Sequence, residues 1–128
     1  MATIKSFTDI SQSKKLAEIL PLESADMYYW CADHYPKEDW IIEVGKPDDN
    51  YECICAWSLA ALLGIIPKEI NIEGQRYAPC LFPVQDKWLL ILWYNSNHTI
   101  TSPIAIFNDN PVDACHEMII KLHELNLL

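Results

Sequence analysis

The stretch that decides the fold runs from Tyr77 to Tyr94, "YAPCLFPVQDKWLLILWY". Two apolar runs rich in residues that favour extended backbone are separated by Gln85 and Asp86, and "TITSPIAIF" follows after "NSNH". This is the pattern of an antiparallel meander with tight turns. Proline cannot donate to a strand ladder, so the segments with Pro79, Pro83 and Pro103 belong at edges or break there. The middle run, apolar from Trp88 to Tyr94 on both parities, is expected to be a central strand covered on both faces.

Upstream lies "YECICAWSLAALLGIIP", Tyr51 to Pro67. From about Cys55 to Leu63 it consists of acceptable helix formers and stops at Gly64 and Pro67. Ser58 is its one strongly hydrogen-bonding side chain. A helix without a polar stripe is expected to be buried, so Ala56 to Leu63 reads as a central, covered helix. Before it, "GKPDDN" has the composition of a turn, and "DMYYWCADHYPKEDWIIEV" reads as one or two short strands around a loop. At the start, "TDISQSKKLAEILP" offers Thr8 or Asp9 as a cap and Pro21 as a stop, with Ile10, Leu16, Ala17 and Leu20 near one face.

The downstream end carries the clearest helical signal, "NDNPVDACHEMIIKLHELNLL". Asn110 can cap, Pro111 suits the first helical position, and Asp113 meets the positive end of the helix dipole. Val112, Cys115, Met118, Ile119, Leu122 and Leu125 form an apolar stripe, with Glu117 and Lys121 paired four apart outside it. The elements together predict an α+β fold over residues 1–128 as one domain. About three helices, the last amphipathic and C-terminal, pack on an antiparallel sheet of about three to five strands.

Composition narrows the function. The chain has 128 residues, 51% of them hydrophobic, which suffices for one ordinary core. No leader-like apolar run and no run of membrane-spanning length is read in it, so the expected location is the cytoplasm, without a membrane partner. The net charge is −9, and nine carboxylates against two lysines fall between Glu23 and Glu52. Such a surface repels phosphate backbones, and no basic stripe is present, so nucleic acid is not an expected partner. Five cysteines in a reducing compartment read as small apolar side chains rather than a disulfide framework.

Chemical constellations are sparse. Cys31, His34, Cys53 and Cys55 could in principle supply four zinc ligands, or a reactive thiol with a base. Cys-x-Cys departs from the C-x₂₋₄-C spacing of structural zinc sites and from the C-x-x-C of thioredoxin-type redox motifs. The two thiols share a face only if residues 53 to 55 are extended. His34, His98, His116 and His123 have no local signature that places one beside a cysteine, and three glycines supply no phosphate cradle. No catalytic residue and no cofactor is assigned. The remaining feature is aromatic: "MYYWCADHYPKEDW" sets rings among acidic residues, as interfaces do. Tyr35, Asp39, Trp40, Asp48 and Asp49 are therefore the candidate interaction residues, for an unidentified protein partner or a second copy.

"AWSLAALLGIIP" at Ala56 to Pro67, "NDNPVDACHEMIIKLHELNLL" at Asn108 to Leu128 and "SQSKKLAEILPLESADMYYW" at Ser11 to Trp30 resemble phrases in a group of short proteins from gut Bacteroidetes and their prophages or mobile elements. No activity is assigned to that group. The resemblance implies a bacterial or phage-infected context in which small acidic proteins often bind another protein. It implies no functional residue. The expectation is thus a non-enzymatic protein-binding or accessory domain, with a Cys/His metal or thiol-dependent protein as the alternative.

Overall fold

A computed structural model of the chain describes residues 5–31, 40–47, 52–94 and 103–128. The fold is α+β, with three α-helices and two antiparallel sheets among the described residues. Helix α1 spans Ile10–Ala17, α2 Leu59–Ile65 and α3 Pro111–Glu124. The three-stranded sheet has the order β2-β1-β3, from Ile41–Val44, Met27–Cys31 and Glu52–Ala56. The four-stranded sheet runs β4-β5-β6-β7, from Ile70–Ile72, Gln75–Val84, Lys87–Trp93 and Ala105–Asn108.

The division into two sheets departs from the single sheet expected, and the cause is local. Cys53 to Ala56 are extended and pair with β1, Cys53 opposite Trp30 and Ala56 opposite Met27. The helix starts only after Ser58, which caps it by accepting from the Ala61 N–H at 3.2 Å. Asp26 fixes that cap, since its carboxylate accepts from both the Ser58 N–H at 2.9 Å and the Ser58 hydroxyl. The expected buried helix is also corrected. In the seven residues of α2 Leu62 is fully buried, whereas Leu63 is 43% exposed. Two turns packed against α3 cover one flank and leave the other to water, so an apolar composition did not require an enclosed helix.

The caps of the other helices follow from sequence. Asp9 rather than Thr8 caps α1: its carboxylate accepts from the Gln12 N–H at 2.7 Å, and the Gln12 side chain returns a bond to the Asp9 N–H at 3.1 Å. Asn110 caps α3 by accepting from the Asp113 N–H at 2.8 Å, with Pro111 at the first position. At the far end the stripe stops at Leu122, because Asn126 adopts φ 58° and turns the chain. Leu127 N–H then bonds the Leu122 carbonyl at 2.8 Å, and Leu127 packs on the core in the place expected for Leu125, which is 46% exposed.

One core cluster joins these parts. Val112, Cys115, Met118, Ile119 and Leu122 of α3 meet Leu90, Leu92 and Ile106 of the four-stranded sheet and Ile104 just ahead of β7, with Leu16, Leu62 and Trp57. Each fully buried aliphatic side chain contributes about 1.5–3 kcal/mol. Trp57 is anchored by polar contacts: its indole N–H donates to Ser24 Oγ at 3.0 Å, and its backbone N–H donates to Thr8 Oγ1 at 3.1 Å. Thr8 and Ser13 are fully buried and bonded to each other at 2.8 Å, and the Thr8 carbonyl accepts from the Tyr29 hydroxyl at 2.7 Å. Buried hydroxyls with partners cost little, whereas orphaned ones cost about 1–3 kcal/mol each.

Candidate functional site

The residues with metal or thiol potential do not converge. Cys53 and Cys55 do lie on one face of extended β3, but opposite them on β1 are Trp30 and Tyr28. Antiparallel partners share a face and successive residues alternate, so Cys31, paired with Glu52, projects from the other side of the sheet. His34 lies outside the described residues. Among those described, no group of three or more His, Cys, Asp or Glu is arranged to hold a metal. None of the five cysteines is in a disulfide. Cys115 is buried in the core, and burial pushes its thiol up to about 12, which leaves it protonated and unreactive at neutral pH.

Of the candidate interaction residues, Tyr35, Asp39, Asp48 and Asp49 lie outside the described residues. Trp40 is half-buried just ahead of β2. The strand that follows exposes Val44 by 80% and Ile41 by 45%, and Tyr28 donates to Glu43 at 2.8 Å across the sheet.

The most developed polar cluster is Asp113. Its carboxylate accepts from Lys5 Nζ at 2.8 Å, Gln12 Nε2 at 2.7 Å and Asn110 Nδ2 at 2.7 Å. Burial alone would raise this carboxyl, but those bonds and the Lys5 charge outweigh it and hold Asp113 below the usual carboxylate range. Since the donors tie the starts of α1 and α3 together, the cluster is a structural clasp.

The four-stranded sheet presents a different kind of surface. Pairing of Leu81 with Leu90, and of Leu90 with Ile106, sets those residues on the face under α3. The alternate residues, Ala78, Cys80 and Phe82 on β5, Leu89, Ile91 and Trp93 on β6, and Ala105 and Phe107 on β7, share the opposite face. Phe107 is 55% and Phe82 37% exposed there, on either side of Leu89. Ile91 is buried yet does not belong to the core cluster beneath α3. The expectation of a central strand holds, since β6 lies between β5 and β7. α3 covers one face, and no described helix packs on the other, although Ile91 there is buried. Charge is confined to the rim, where Lys87 meets Asp109 at 3.1 Å and Arg76 meets Glu69 at 3.2 Å. An uncharged, partly exposed aromatic and aliphatic face is chemically suited to excluding water against another apolar surface.

The sequence held a sign of this face. Trp88 to Tyr94 is apolar on both parities, which fits a doubly covered strand and a strand with a sticky outer face equally well. Phe82 and Phe107 on the neighbouring strands distinguish the two only once the register is known. Among the described residues no helix is long and apolar enough to cross a membrane. No protein-family model, no curated protein and no solved structure matches the chain.

Proposed function

We propose that the chain is a non-enzymatic protein-binding domain, and that its binding surface is the outer face of β5, β6 and β7. The observation that carries this reading is the exposure of Phe82 and Phe107 around an apolar strand with no described helix above it. Large, partly exposed rings on an apolar patch with paired charges at its rim are an arrangement that concentrates binding energy in protein interfaces. The carboxylates of residues 23–52, some of them on the other sheet, would add a preference for partners with a basic flank. A bacterial or phage-infected cell, as the resemblance of its phrases implies, is the context in which to seek that partner.

The test compares affinity capture from a bacterial lysate by the wild type and by a Phe82→Ser/Phe107→Ser variant of matched thermal stability. One protein held stoichiometrically by the wild type and lost from the variant is the expected result. Identical captures would overturn the reading, as would stoichiometric zinc in the purified protein or one thiol reacting far faster than the others.

A further inference from the structure

The four-stranded sheet has two lateral boundaries of unlike chemistry. Leu92 N–H bonds the Ile104 carbonyl at 3.2 Å, which makes Leu92 and Ile104 a hydrogen-bonded pair. In an antiparallel ladder such pairs alternate, so Leu90–Ile106 is the next, and the backbone N–H and C=O of Ala105 and Phe107 point away from β6. The same alternation carried across β6 turns the backbone of Pro79 and Pro83 away from it, on the side of β5 that β4 leaves uncovered beyond Tyr77. There the missing N–H removes the donors that a new strand would need. One boundary is thus blocked by proline. The other offers two donors and two acceptors that no described hydrogen bond uses.

Beside that open boundary lies a groove of about 440 Å³, within the size range of ligand sites. It is lined by Ile104 and Ile106, by His116 and Ile120 of α3, and by Lys15 and Lys121. The groove is therefore lined by β7 with the residues just ahead of it on one side and by α3 on the other. His116 Nε2 is buried there without a hydrogen-bond partner, and neither lysine is in a described salt bridge. Of the groove's carboxylates, Glu117 accepts from Asn108 Nδ2 at 2.8 Å, and Glu124 is exposed at the end of the helix.

From this placement we infer that the groove along β7 is a docking site for an extended peptide, which adds to the sheet as a fifth strand paired with Ala105 and Phe107. Its main chain takes up the free bonds of the edge, and alternate side chains turn under α3 onto Ile106 and Ile120. An apolar residue suits that inward position, and an acidic residue at the peptide's end faces Lys15 or Lys121. This site is separate from the outer sheet face. A strand added here would meet that face only along the Ala105 and Phe107 rim.

The probe is a set of acetylated hexapeptides alternating valine and threonine, with one aspartate or one lysine at either end. Binding is followed by amide shifts in two-dimensional NMR of the full chain. Expected are saturable shifts at Ala105, Phe107 and the His116 ring, with the aspartate peptides binding more tightly than the lysine peptides. Methylating alternate peptide amides, which removes the donors facing β7, abolishes the shifts. Ala105→Pro also abolishes them, and it sacrifices no bond to β6 because that N–H points outward. Should Ala105→Pro not fold, Ile120→Arg, which fills the groove, serves in its place. Shifts that survive both peptide methylation and the groove substitutions would overturn the proposal, as would no shift with any peptide. Concentration-dependent dimerisation that Ala105→Pro abolishes would identify a second copy as the occupant and overturn it too. Phe82→Ser lies on the outer face and leaves the peptide shifts unchanged, so failure here is distinguishable from failure of the outer-face reading.

Discussion

The two faces of the four-stranded sheet are built from nearly the same residues and meet opposite fates. Beneath α3, Leu90, Leu92 and Ile106 are 1%, 0% and 9% exposed; on the other side Phe82 and Phe107 are 37% and 55% exposed. Hydrophobicity does not separate them. What does is the partner: α3 brings an apolar stripe, held in place by a capped N-terminus and the Asp113 clasp, while no described helix lies on the outer face. The same chemistry therefore contributes to folding stability on one side and remains available for association on the other.

This contrast is sharpest in mutational cost. Leu92→Ala is expected to lower unfolding free energy by about 2–5 kcal/mol, since it removes buried methyls and leaves a cavity under α3. Phe107→Ser on the outer face is expected to change it by less than about 1 kcal/mol, because more than half of the ring is already in water. Urea denaturation of both variants decides the matter, and equal losses would mean that the outer face is part of the core.

A smaller effect is expected where the core meets the first sheet. Thr8→Val keeps the shape but leaves the Trp57 N–H and the Ser13 hydroxyl without their described partner, at a cost of about 1–3 kcal/mol by the same measurement. Next comes the start of α2, where Ser58→Ala removes a cap and leaves Asp26 with one bond fewer, for a loss of about 1 kcal/mol in thermal or chemical unfolding.

The clasp that holds α3 over its face is expected to respond to pH. Asp113 is depressed in the folded state, so it binds its proton less readily there than in the unfolded chain. Its contribution is full above the unfolded carboxyl range, near pH 4, and is lost as pH falls through the lower folded value. Urea midpoints taken from pH 6 downward should therefore fall more steeply for the wild type than for Asp113→Asn. Parallel slopes would show that the clasp contributes nothing to the pH dependence.

How much of this was legible depended on whether the signal was local. Asn110, Pro111 and Asp113 specify a helix start with side chains that act on their own backbone, and α3 begins there. Gln85 and Asp86 separate β5 from β6 as read, with Gln85 at φ 58°. The helix expected from about Cys55 failed at Cys55 and Ala56 because cysteine and alanine carry weak preferences, and pairing with Tyr28 and Met27 decided their state. The overlooked sign was Ser58, whose hydroxyl marks the helix start three residues later than supposed. The outer face and the open edge were harder still. They depend on register and strand order, which connect residues such as Phe82 and Phe107 through β6 and have no trace in local spacing.

Pro79 and Pro83 have a consequence for assembly size. Growth of a sheet into a fibre requires every unit to offer two competent borders, one to receive and one to give. Along β5 this sheet presents prolines and, beyond them, the three-residue β4; along β7 it presents free amides and carbonyls. Any union through β7 leaves no equal border behind it, so pairing of this kind terminates after one step and yields a closed complex rather than a polymer.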